Sequence, residues 1–236
     1  MKISYLGHSG FLIETEYAYY LFDYIRGLLP MFSPDKPLYV FVSHSHEDHF
    51  SKNILLDKRL ANVTNFIFSN DIRRKIKNQM KNFSDTLISK IIFIKADCML
   101  DLKHCEIQTL KSTDIGVAYV IKEKTSGYTF YHAGDLNWWH WNGEPKSWNR
   151  NMEINYKREI DKIKDYTFDV AFVPLDPRLE DAYYLGMNYF LENVNVKHVF
   201  PMHFWKDYNI IPKYISEHGK SNVIEIIERE GKKYEF

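Results

Sequence analysis

Leu38-Tyr39-Val40-Phe41-Val42-Ser43-His44-Ser45-His46-Glu47-Asp48-His49 runs without interruption from an apolar stretch into a cluster of histidines and acids. Leu38–Ser43 is nearly continuous in apolar residues, the pattern of a strand buried on both faces. His44 and His46 alternate, so an extended loop aims both imidazoles at one point. Asp48 and His49 fall where the chain should turn toward the next element. Three imidazoles and a carboxylate within six residues are the ligand types of zinc, iron and manganese. Solvated histidine runs, tags among them, do not follow a buried strand with an acid in fixed order.

Working outward, short β-rich runs precede this segment at Ile3–Leu6, Phe11–Glu14 and Tyr19–Phe22. A helix is predicted from about Phe50 to Leu60, a strand over Asn65–Phe68 and a basic amphipathic helix over Asp71–Phe83, its charge most simply a solvated face. Ile91–Ala96, Met99–Leu102 and Glu106–Leu110 read as strands, and Val117–Lys122 with Tyr128–Tyr131 as a hairpin around Ser126-Gly127. Asn151–Tyr166 has helical spacing. Asp169–Pro174, a helix near Tyr183–Val194, and His198–Met202 form a strand–helix–strand pattern. Val223–Ile227 and Lys232–Phe236 are predicted to close the chain as a hairpin. A single α/β domain over 1–236, with two sheets between helical layers, accommodates this order.

Lysine plus arginine and aspartate plus glutamate both number 31 among 236 residues, a net charge of zero that argues against a nucleic-acid binder. Two cysteines, Cys98 and Cys105, exclude a disulfide framework and a cysteine-rich zinc site, and point to a reducing compartment. No opening signal peptide and no run long enough to span a bilayer are visible, so a cytoplasmic location is expected.

The segment His44–His49 is an HxHxDH motif, and here the sequence resembles the metallo-β-lactamase superfamily over nearly its whole length. His132-Ala133-Gly134-Asp135 resembles the family's Gly-Asp motif. Pro201-Met202-His203-Phe204 resembles its final histidine motif, and Asp23 stands where the family has an early aspartate that orients a ligand. The resemblance implies a four-layer αββα sandwich holding two divalent ions, with zinc expected and manganese or iron as alternatives. It assigns His44 and His46 to the first ion, Asp48, His49 and His203 to the second, and Asp135 to a bridge between them. The glycine before Asp135 has a physical reason, since backbone without a Cβ can turn sharply and bring the carboxylate close.

One departure matters. The family's third histidine on the first ion is absent, and the corresponding region reads Lys111-Ser112-Thr113-Asp114-Ile115-Gly116. Asp114 is the best substitute as a hard carboxylate ligand, and a plain turn residue is the alternative. Gly7-His8-Ser9-Gly10-Phe11-Leu12-Ile13 is similar to the opening of small bacterial members related to the ascorbate-phosphate lactonase group. His8 is then either a proton donor or substrate contact at the pocket, or a turn histidine bonded to backbone. His132 either orients Asp135 or packs against a strand. Leu136-Asn137-Trp138-Trp139-His140-Trp141 either walls a pocket, with Trp205 joining it, or staples a large loop to the core. Arg178 is either an anchor for an anionic substrate or a solvent-facing loop residue.

The resemblance implies a hydrolase that directs a metal-bound hydroxide at a small-molecule ester, lactone or phosphoester, with Asp48 and His8 as catalytic groups. A nuclease or phosphodiesterase is one alternative. A metal-binding module without catalysis, its first ion site degenerate, is another. The partner expected is a small molecule, with no nucleic acid and no membrane, and an oligomer is possible.

Overall fold

In the computed structural model, which describes residues 1–219 and 221–236, two sheets lie face to face. The first holds β1 (Lys2–Gly7), β2 (Gly10–Glu14), β3 (Tyr19–Phe22), β4 (Leu38–Val42), β5 (Asn65–Ser69) and β6 (Ile91–Ile94), with β13 (Lys233–Glu235) on the outer edge of β1. The second runs β12 (Asn195–Met202), β11 (Thr167–Pro174), β10 (Thr129–His132), β9 (Val117–Glu123), β8 (Cys105–Lys111), β7 (Met99–Asp101). β3 to β6 are mutually parallel, as are β10 to β12.

Helices α1 (Ile72–Met80) and α2 (Asp85–Ser89) cover the outside of the first sheet, and α3 (Lys146–Asp161), α4 (Leu185–Asn193) and α5 (Ile210–His218) cover the second. The result is the four-layer αββα sandwich. Every residue of β4 is buried, as its sequence predicts. Tyr39 and Phe41 enter the core between the sheets, while Leu38, Val40 and Val42 face Ile54, Leu60, Ile72 and Ile76 on the outer side. The strand alternation of period two thus feeds two separate apolar cores.

Three expectations need correction. Phe50–Leu60 is not one helix but two short 3-10 turns, Lys52–Leu56 and Lys58–Leu60. Asp57 between them is extended, and its carboxylate accepts from Arg59 N–H, restarting the turn rather than continuing it. The closing hairpin does not form. Ile224 and Ile227 are buried in the central core, and this stretch meets β12 through one bridge, Val199 with Ile224. The last strand instead completes the open edge of β1, antiparallel, with Ile3 opposite Tyr234. Helices α2 and α5 lie where the sequence reading placed none; the apolar positions of α5 (Ile210, Ile211 and Tyr214) are buried at helical spacing. Cys98 and Cys105 are free thiols. Among the described residues, no helix is long and apolar enough to cross a membrane.

Candidate metal centre

One edge of the sandwich gathers the carboxyl ends of β3, β4, β10, β11 and β12 with the β1–β2 and β8–β9 turns. Each delivers one or more polar side chains. β4 runs out into His44–His49, β10 into Asp135, β12 into His203, β3 into Asp23 and β11 into Asp176. The two turns bring His8 and Asp114.

The imidazoles are oriented from behind. His49 Nδ1 donates to Asp23 Oδ2 at 2.7 Å, and His203 Nδ1 donates to Asp176 Oδ2 at 2.8 Å. Ser43 Oγ donates to Asp23 Oδ2 at 2.6 Å and so accepts from His44 Nδ1 at 2.9 Å. With the proton committed on Nδ1, each of the three rings presents an Nε2 lone pair. Those nitrogens surround one carboxylate. Asp135 Oδ1 lies 3.1 Å from His49 Nε2 and 3.4 Å from His203 Nε2, and its Oδ2 lies 3.4 Å from His44 Nε2. His49 Nε2, His203 Nε2 and Asp135 Oδ1 are buried with no hydrogen-bond partner among the described residues. Such orphans are costly unless another ligand engages them.

Two donor groups result, each with its ligand atoms mutually within 4.8 Å: His44, His46, Asp114 and Asp135, and His8, Asp48, His49 and His203. All seven residues expected at the metals therefore converge at this edge. Asp114 Oδ2 lies 3.5 Å from His46 Nδ1. His8 stands in the second group, its Nε2 at 3.2 Å from Asp48 Oδ2.

The carboxylates favour positive charge at this centre, either a proton on His49 or a cation in its place. Burial alone would push the His49 pKa down, yet the Asp135 and Asp23 carboxylates hold it well above the usual imidazole range. Burial would raise Asp135, and His49 and His203 outweigh it, holding it well below the carboxylate range. Burial lowers His44 to about 4, so that ring stays neutral and able to ligate. Asp114 is raised, first by burial and then by the neighbouring Asp135 charge.

The backbone is strained where these groups meet. His8, Asp23 and His203 all have positive φ, at 51°, 40° and 64°. Gly116 (φ 81°) ends the β8–β9 turn against the histidine strand, and a Cβ there would collide with Ser43 O and His44 Cβ. Gly134 (φ 52°) lets the Asp135 loop approach, since a Cβ would lie 2.6 Å from that of Ser43. Helix α1 fixes the loop from outside: Ser45 N–H donates to Asp71 Oδ2 at 2.8 Å, and Lys75 Nζ donates to the Ser45 carbonyl.

His132 packs, with its ring 4.9 Å from Phe22 and nearly parallel, and it also donates from Nε2 to Ser9 O at 2.9 Å and accepts from Gly134 N–H. A cavity of about 430 Å³ opens over the donors, walled by Trp139, Trp141, Trp148, Met152 and Arg178. The tryptophans act as both wall and staple. Trp139 Nε1 donates to the Asp135 carbonyl at 2.9 Å, and its ring lies nearly parallel to Trp141. Asn137, Trp138 and His140 do not line this cavity, and neither does Trp205, which lies beneath Arg178. Sequence reasoning missed Asp176 and Ser43. The signal for Asp176 was a carboxylate at a strand's carboxyl end, two residues before an arginine.

A family model described as a β-lactamase superfamily domain matches residues 2–141. A metal-dependent hydrolase from Desulforamulus reducens is 39% identical over 64 residues, which are 26% of this chain and only 28% of that protein. Among solved structures, a metallo hydrolase from the archaeon Ignicoccus hospitalis superposes with a TM-score of 0.62 at 19% identity, over 100% of this chain and 98% of its own. An isothiocyanate hydrolase from Delia radicum gut bacteria superposes with a TM-score of 0.62 at 12% identity, over 100% and 99%. The sandwich, the ordered motifs and the matched domain together place this chain in the metallo-β-lactamase superfamily.

Proposed function

We propose that the protein is a metal-dependent hydrolase of small molecules, with a carboxylic ester or lactone preferred and a small phosphoester within reach of the same chemistry. The observation that carries this reading is the orientation of the imidazoles: three rings tied back through Nδ1 turn Nε2 toward the Asp135 carboxylate, and among the described residues those of His49 and His203 are buried with no hydrogen-bond partner.

His44, His46 and Asp114 would hold one divalent cation and Asp48, His49 and His203 the other, with Asp135 between them. When bound, such a pair lowers the pKa of a water toward neutrality and polarises a carbonyl or phosphoryl oxygen. Zinc suits the imidazoles, and Asp114 shifts its group toward manganese or iron.

Asp48 Oδ2 orients the water and takes its proton, and His8 Nε2, 3.2 Å away, returns a proton to the leaving group. The cavity has the volume of a small-molecule site. The preference for a lactone rests on the likeness of Gly7–Ile13 to the ascorbate-phosphate lactonase branch.

Protein purified without chelator is expected to carry about two equivalents of transition metal by elemental analysis. It should also hydrolyse members of a panel of lactones, thioesters and phosphodiesters, and Asp135→Ala should lose both properties. A metal-free wild-type protein, or full turnover by Asp135→Ala, overturns the assignment.

A further inference from the structure

Among the described residues, Arg178 is the one arginine or lysine lining the cavity, which it shares with the carboxylates of Asp48, Asp114 and Asp135. Its guanidinium is held on one edge only. Nε lies 3.0 Å from both oxygens of Asp176, and Nη2 donates to Oδ2 at 2.5 Å. Nη1 makes no hydrogen bond among the described residues, and 45% of the side chain is exposed. The plane is fixed from the sides as well, with Trp205 at 4.6 Å and Trp141 at 5.7 Å from the guanidinium carbon. Asp176 is itself committed to His203 Nδ1, so it cannot swing away to satisfy the rest of the fork.

A flexible surface arginine would show neither a bidentate clamp nor two indoles. This one is a clamped cation with a free donor edge, lining the same cavity as Asp48, Asp114, Asp135 and His203. Trp141, beside the guanidinium, stacks within 7° of parallel on Trp139, whose ring lies 5.5 Å from that of His203.

Resting on the hydrolase reading above, we infer that the substrate is a flat or apolar molecule bearing an anionic group, a carboxylate or a phosphate, which Arg178 holds while the indoles pack the body. A guanidinium fork matches either anion, and a neutral analogue leaves the fork's free edge unpaired. Arg178 is then the residue that selects substrate, acting on binding more than on the bond-breaking step.

The test is calorimetric and needs no turnover, so it fails separately from the hydrolase reading. Metal-replete protein is titrated with 1-naphthaleneacetate, 1-naphthylmethylphosphonate and the neutral 1-naphthaleneacetamide. Either anion, or both, should bind roughly tenfold or more tightly than the amide, and the tighter of the two identifies the preferred group. Arg178→Gln, which can still donate to Asp176, should erase the preference and leave the amide unchanged within about twofold. Arg178→Lys should keep part of it, and Trp141→Ala should weaken all three ligands, the neutral amide included. Elemental analysis of each variant should give the wild-type metal content. Equal binding of acid and amide by the wild type overturns the proposal. So does an anion preference that survives in Arg178→Gln, because the anion would then be sitting on the metals.

Discussion

His203 and Arg178 share a single carboxylate: Asp176 Oδ2 accepts from the imidazole Nδ1 at 2.8 Å and from the guanidinium Nη2 at 2.5 Å. Burial would raise the Asp176 pKa, but these two donors outweigh it and hold it below the usual range, so it stays ionised. Asp176→Asn should leave the fold intact and lower metal affinity about tenfold to a hundredfold, since the charged acceptor that fixes the ring's tautomer becomes a neutral amide whose single oxygen must serve both His203 and Arg178. Competition with a chromogenic chelator measures this. An unchanged affinity would show that His203 is aimed by packing alone.

Asp114 and His46 approach at 3.5 Å on the more exposed side of the centre. Asp114→Ala should release one cation equivalent and keep the other. Asp114→His should restore both and move the preference from manganese toward zinc. Metal content after dialysis against each ion reads both outcomes; an unaltered stoichiometry in the alanine variant would make Asp114 a turn residue.

His8 faces Asp48 in the second donor group. If it carries a proton, His8→Gln should cost about a hundredfold in kcat, within the span of general acid–base effects, with metal content unchanged. Loss of one metal equivalent instead would make it a ligand. The same sample, assayed for turnover and for metal, separates the two.

Gly116 has no room for a side chain. Gly116→Ala forces a methyl group into Ser43 and His44 at a positive φ, and should cost about 2 kcal/mol or more. A melting point about 4–8 °C lower follows for a chain of this size. Metal content should fall with it, because the displaced residue is a donor. A variant as stable as the wild type would mean that the turn can open without consequence.

Much of this centre could be read from the chain because each donor sits next to its own strand. Apolar residues over Leu38–Val42 announce a buried strand, and the histidines begin two residues later. His132–Asp135 and Pro201–His203 repeat that arrangement. Asp114 could be picked out only against the family pattern, as the carboxylate in the segment that lacked a histidine, with a turn residue as the alternative. Asp176 was not visible as an orienting group, because its task depends on His203, 27 residues later, and only the parallel pairing of β11 with β12 brings them together. The 3-10 turns after His49 and the route of the last strand escaped for a similar reason. A short apolar run does not say which sheet edge is open, and β13 answers to β1 at the far end of the chain.

The donors are divided between the two sheets: His44–His49 hang from the first, Asp135 and His203 from the second. Any ion seated among them is therefore a clasp across the sandwich as well as a reagent. Its release should be felt mechanically, with the donor edge parting before the strands beneath it. Hydrogen exchange should then quicken at Ser43–Phe50 and at 133–137 on chelation, while the middle of β4 and β11 stays protected. The melting temperature should climb with the concentration of free ion.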